Sequence, residues 1–145
     1  MSAVVIDTNI TLDLFVFQDP AIAPLREALE IESLDWLATD AMREELVRVL
    51  GYPQIVRKLF AVALSKSDVL DAFDRHVHLV PSAAKAPFTC KDPDDQKFID
   101  LAAAHGASLV SKDAAVLCMA RRLERVGLRV CRTWPSESVL AASPL

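Results

Sequence analysis

Apolar residues in this chain come in short unbroken runs, separated by longer stretches in which they recur every three or four positions. The first run, Ala3-Val4-Val5-Ile6, stops at Asp7-Thr8-Asn9. An unbroken apolar run reads as a strand buried on both faces, the habit of a central parallel strand. Shorter runs predict further strands at 33–38, 78–80, 107–111 and 128–131. Between them the spacing is helical. It predicts a short buried helix over 10–17 and a second over 20–30 with Ile22, Leu25 and Leu29 on one stripe. A third, capped by Thr39 or Asp40, carries Met42, Glu45, Leu46 and Val49 on one side. Helices over 54–64 (Ile55, Leu59, Val62) and from a Ser67 cap through Leu70, Phe73 and Val77 follow.

Residues 81–90 are the one long loop-like stretch. Beyond it the pattern predicts helices over 93–105 and 114–126, and a short terminal helix opening at Pro135. The punctuation agrees: Asp19-Pro20 and Asp92-Pro93 pair a cap with proline at the first helical position, and Gly51, Gly106 and Gly127 mark helix ends. Strands alternating with helices predict an α/β fold, a three-layer sandwich with helices on both faces of a central parallel sheet. No repeat or second domain interrupts it, so residues 1–145 are expected to form one domain.

Composition narrows the function. Hydrophobic residues are 52% of the 145 and charged ones 25%, a globular balance. No run approaches the roughly 20 apolar residues of a membrane span, and no basic stretch followed by an apolar core marks a secretory signal. Cys90, Cys118 and Cys131 are widely spaced and form no C-x-x-C, which reads as thiols of a reducing compartment and predicts a cytoplasmic location. Three glycines cannot build a phosphate-cradling loop. The net charge of −4 argues by itself against a general nucleic-acid coat. Arginines nevertheless concentrate at Arg121, Arg122, Arg125, Arg129 and Arg132, with Glu124 the one acid among them. That cluster fits either a solvated helix face or a phosphate-tracking patch, for which Arg121, Arg122 and Arg125 are the candidates.

The candidate chemistry lies in four acids. Asp7 and Asp113 each follow a predicted strand, and Glu45 and Asp95 lie in the first two turns of predicted helices. A crossover helix runs antiparallel to the strands it joins, so its N-terminus returns to their carboxyl edge. All four carboxylates therefore gather at one edge of one sheet, where ligands bind in open α/β folds. Carboxylates that close repel one another in a partly dry cleft unless a cation holds them, and oxygen-only ligation suits Mg²⁺ or Mn²⁺. Such a centre activates water for phosphodiester hydrolysis. Asp92 and Asp94 read as cap and first-turn residues, Asp100 as solvated, and Glu44 points about 100° away from Glu45. His76 and His78 lack further ligands at suitable spacing and read as structural, as do Trp36 and Trp134.

The ordered set of motifs resembles the PIN-domain ribonucleases found as toxins of bacterial and archaeal toxin–antitoxin pairs. Val5-Ile6-Asp7-Thr8-Asn9 resembles the family's first acidic motif, and Thr39 with Glu45-Leu46 its second. Asp92-Pro93-Asp94-Asp95-Gln96-Lys97-Phe98 is similar to the Asp-Pro-Asp-Asp-Asn-Lys-Phe run of one subgroup, with Gln96 in place of asparagine. Leu109-Val110-Ser111-Lys112-Asp113 resembles the last motif. The resemblance covers 4 to about 134 and implies a metal-dependent endoribonuclease. Asp7, Glu45, Asp95 and Asp113 would ligate Mg²⁺ or Mn²⁺, with Asn9 and Ser111 orienting them by hydrogen bonds. It further implies an RNA substrate, a cognate antitoxin protein and a homodimer, with 10–17 and the helices around 59–73 as candidate faces. Many relatives carry another acid after the last motif, where this chain has Ala114, Ala115 and Val116. Two alternatives stand beside this reading. A haloacid-dehalogenase-type phosphatase would use Asp7 as nucleophile, but such enzymes carry Asp-x-Asp where Asn9 stands here. A non-catalytic PIN-like binding module would have no use for all four acids.

Overall fold

The computed structural model describes residues 2–134, so the helix expected from Pro135 lies outside the described residues. Five parallel strands form one sheet in the order β3-β2-β1-β4-β5. These are β1 (Ser2–Ile6), β2 (Leu34–Ala38), β3 (Val77–Leu79), β4 (Ser108–Val110) and β5 (Val130–Cys131). The opening run is the central strand: Val4, Val5 and Ile6 are buried, and β1 pairs with β2 through Val4↔Trp36 and with β4 through Val5↔Leu109. Every strand-to-strand crossover of this kind is right-handed. Helices joining β1, β2 and β3 therefore cover one face, and those leading to β4 and β5 cover the other. These are the three layers that the sequence predicts.

On the first face, α1 (Thr8–Leu12) runs into a π-helical turn, Asp13–Phe17. Ile10, Leu12, Leu14 and Val16 all lie in the core, while Phe17 at the end of the segment is exposed. A 3₁₀ turn capped by Asp19 leads into α2 (Ala23–Glu30). Thr39, not Asp40, caps α3 (Asp40–Leu50), its hydroxyl accepting from the Met42 amide. Pro53 then starts α4 (Pro53–Ala61), which ends earlier than the apolar spacing predicts, so Val62 falls outside it. The cap of α5 (Lys66–His76) is Ser65 rather than Ser67. Ser65 and Asp68 bond each other's backbone amides in a capping box whose S-x-x-D pattern was readable in the sequence. Trp36 is fully buried, stacked on Phe15 and edge-on to Phe73.

On the second face, Asp92 caps α6 (Pro93–His105) and Gly106 ends it at φ 61°, a left-handed turn that glycine adopts without strain. The helix expected over 114–126 is broken into α7 (Ala114–Leu117) and α8 (Ala120–Glu124). Val116, Met119, Ala120 and Leu123 stay buried at helical spacing through the break. One tightened turn, with the Met119 amide donating to the Val116 carbonyl, interrupts the backbone without disturbing the stripe. Among the described residues, no helix is long and apolar enough to cross a membrane.

Loop 81–90 has no secondary structure of its own, and side chains bond several of its backbone groups. Gln96 accepts from the Cys90 amide at 2.7 Å and donates to the Phe88 carbonyl at 2.7 Å and to Asp100 at 2.8 Å. Asp100 also accepts from the Ala86 amide at 2.9 Å. Asp100 is thus buried inside the fold, not solvated, because an otherwise orphaned loop amide needs its carboxylate.

Candidate active site

Asp7 follows the last residue of β1 and is 2% exposed. It caps α1, Oδ1 accepting from the Ile10 amide at 2.9 Å, while Oδ2 accepts from the hydroxyl of buried Ser111. The same hydroxyl accepts from the Asp113 amide at 3.1 Å. One serine thus fixes both strand-exit acids, at the point where the order of connection reverses between β1 and β4. Asp113 caps α7 through the Ala115 amide. Asp95 reaches the same place from the first turn of α6, and its Oδ2 is buried with no hydrogen-bond partner. Asp92, Asp95 and Asp113 each offer an oxygen within 4.8 Å of the others.

Charge crowding follows from that geometry. Burial, and then the charges of Asp113, Asp92 and Asp7, push the Asp95 carboxyl up to about 7. Burial likewise pushes Asp7 up to about 6, against the opposing pull of the Ser111 and Ile10 hydrogen bonds. Asp13 and Lys112, paired at 2.6 Å, flank the cluster, and the ammonium exerts a weaker downward pull on Asp7.

Glu45 enters from the opposite layer. Met42, Leu46 and Leu50 bury the inner side of α3, leaving Glu45 and Val49 on the wall of a 160 Å³ pocket shared with Asp7, Thr8, Asn9, Asp92 and Asp95. Glu44 is exposed. Both oxygens of Glu45 are taken: the Thr8 hydroxyl donates to Oε2 and the Lys97 ammonium lies 3.2 Å from Oε1. Asn9 lines the pocket but is exposed, and its side chain bonds no carboxylate among the described residues; its neighbour Thr8 does so instead.

Arg121, Arg122 and Arg125 line one open groove of about 430 Å³ together with Thr89 and Lys91. Lys91 precedes Asp92, and α7, which Asp113 caps, ends at this groove with Cys118. The basic groove therefore adjoins the acid cluster.

Sequence reasoning missed three participants. Asp92 looked like a cap and is one, its Oδ1 accepting from the Asp94 amide, but it also joins the carboxylate trio. The Asp-Pro-Asp-Asp run was the available signal. Thr8 and Lys97 had no separate signal, since both need the facing helix to acquire a partner. The remaining candidates are structural. His76 donates to the Ala72 carbonyl at 2.9 Å, and the thiols of Cys90 and Cys131 are buried, which pushes both up.

Residues 3–115, from β1 into α7, match the family model described as PIN domain. This chain belongs to the PIN domain family. The matched span contains Asp7, Glu45, Asp92, Asp95 and Asp113, so the family's region and the acid cluster coincide. Membership also removes the haloacid-dehalogenase alternative. No curated protein matches this PIN domain protein. Among solved structures, it resembles the crystal structure of VapBC2 from Rickettsia felis bound to a DNA fragment from their promoter. The TM-score is 0.60 at 15% identity, over 91% of this chain and 98% of that one. At that identity the likeness is one of fold.

Proposed function

We propose that this PIN domain protein is a metal-dependent endoribonuclease, acting as the toxin of a toxin–antitoxin pair. The observation that carries the reading is the buried, unpartnered Oδ2 of Asp95 beside the carboxylates of Asp92 and Asp113. A buried acceptor without a donor is costly, and three carboxylates at that spacing repel one another. A divalent cation removes both penalties, and hard oxygen donors suit Mg²⁺ or Mn²⁺. Asp92, Asp95 and Asp113 would hold it, with Asp7 beside them and Glu45 on the facing wall. When bound, the cation would supply Lewis acidity toward a phosphate oxygen and make water a better nucleophile at neutral pH.

The protein's own part is positioning. Ser111 locks Asp7 and the Asp113 backbone in one orientation, and Thr8 holds Glu45 against the pocket wall. Arg121, Arg122, Arg125 and Lys91, which have no ion-pair partner among the described residues, are placed to take phosphates flanking the one being cut. Water adds across a phosphodiester P–O bond, leaving a phosphomonoester and a hydroxyl. The shared fold with VapBC2 supports an antitoxin partner. The outward stripe of α4 and its preceding turn (Tyr52, Val56 and the 89% exposed Phe60) supports a homodimer through that face.

The test is cleavage of a structured RNA by the purified, inhibitor-free protein in Mg²⁺, Mn²⁺ or EDTA, with Asp95→Asn in parallel. Metal-dependent cleavage that disappears in the variant is the expected result. A folded protein that cuts nothing with either metal would be a binding module instead.

A further inference from the structure

Hydrolysis at this site has a charge problem that the carboxylates and one divalent cation do not solve. Asp7, Glu45, Asp92, Asp95 and Asp113 crowd one edge, and an RNA phosphate brings further negative charge that grows in the transition state. The pocket needs a positive group of its own that faces the substrate. Lys97 stands at its rim, bound to the pocket-lining Glu45. It rises from α6 on one face of the sheet and crosses to Glu45 of α3 on the other, with Nζ 3.2 Å from Oε1. The same ammonium donates to the Asp94 carbonyl and stands 4.9 Å above the ring of Phe98, which lines the pocket.

These contacts fix the ammonium without exhausting it. An ammonium carries three N–H donors, and two acceptors are present. The side chain retains 28% exposure, so the third donor is open to a ligand. Lys91 lines the neighbouring basic groove, and Lys112, paired with Asp13 at 2.6 Å, flanks the cluster beside Asp113 and does not reach Glu45. On the nuclease reading above, we infer that Lys97 is a catalytic residue whose ammonium, held in place by Glu45 and the Asp94 carbonyl, binds a non-bridging oxygen of the scissile phosphate. Glu45 then serves as the anchor that aims Lys97, whatever it also contributes to the cation.

The experiment compares the parent with Lys97→Met, Lys97→Gln and Lys97→Arg. A labelled RNA oligonucleotide is cut at saturating Mg²⁺, and Mg²⁺ binding is followed without RNA by thermal shift. Loss of one preorganised donor to a developing charge costs on the order of 100-fold in kcat. The Met and Gln variants should each lose about that much kcat with little change in KM. Lys97→Arg should recover roughly 10-fold, and all three should keep the parent's Mg²⁺ midpoint within about 2-fold. The Gln variant, which can still donate to Glu45 but has no charge, separates phosphate binding from mere support of Glu45. If Lys97→Gln cuts at the parental rate, or if the neutral variants lose Mg²⁺ affinity in the thermal shift in step with their loss of rate, the inference fails. A parent that itself cuts no RNA would overturn the nuclease reading along with it. An active parent with unaffected variants would overturn the lysine's role alone.

Discussion

Replacing Asp7 with asparagine should make this protein more stable and useless as a nuclease. The carboxyl is 2% exposed, and its rise from 3.8 to about 6 corresponds to roughly 3 kcal/mol of native-state penalty when it is ionised. The native state holds this proton more tightly than the unfolded chain. The penalty is therefore absent below pH 3.8, grows through the window up to about 6 and is complete above it. Asparagine carries no charge to desolvate and keeps an acceptor for the Ile10 amide. The charge-assisted bond from Ser111 is already counted, because it pulls the carboxyl down against burial and the rise to about 6 is what remains. The net gain is about 3 kcal/mol, or about 6–12 °C in melting temperature for a chain of this size. Thermal melts in EDTA at pH 8 and pH 4 check it: Asp7→Asn should melt higher at pH 8 and no higher at pH 4. Added Mg²⁺ should raise the parent more than the variant, which keeps Asp92, Asp95 and Asp113 but loses the carboxylate beside them. A variant that melts lower than the parent at pH 8 would refute the claim that burial of this charge strains the fold.

Other outcomes follow from the same geometry. Asp92→Asn, which keeps an acceptor for the Asp94 amide, should leave stability within about 1 kcal/mol but weaken Mg²⁺ in a thermal-shift titration. Arg121, Arg122 and Arg125 replaced together by serine should reduce the salt dependence of RNA binding by a slope of about 2, read by anisotropy from 50 to 200 mM salt. Asp100→Leu strands the Ala86 amide and one donor of Gln96, so it should cost about 2–4 kcal/mol in urea unfolding, whereas Asp100→Asn should cost far less. The proposed homodimer through α4 predicts a dimeric parent and a monomeric Phe60→Asp variant in light scattering, with no loss of melting temperature, since the ring is exposed in the protomer.

The strands and the acids were legible because their signals are local. An apolar run ending in Asp7 and a cap-proline pair at Asp92-Pro93 each state their structure within a few residues. The loop tied down by Gln96 and Asp100 was not legible, because its stability comes from side chains up to 14 positions away in the chain. The break between α7 and α8 escaped for the opposite reason. Its buried stripe keeps helical spacing, and a single tightened turn leaves no trace in such a pattern. Asp92 shows a third limit. One carboxylate can cap a helix with one oxygen and face a cluster with the other, and sequence reveals only the first duty.

The placement of β4 beside β1 carries a consequence for how this protein comes into being. The acids of the cluster are drawn from positions 7, 45, 92, 95 and 113, and the last belongs to a strand exit that pairs directly with the first. A ribosome making this chain has delivered Asp7 early, yet the cluster cannot close until residues 108–113 have emerged and β4 has docked on β1. Every shorter nascent chain lacks the assembled cluster. Synthesis itself therefore sets an interval in which most of the chain exists but the acid cluster does not.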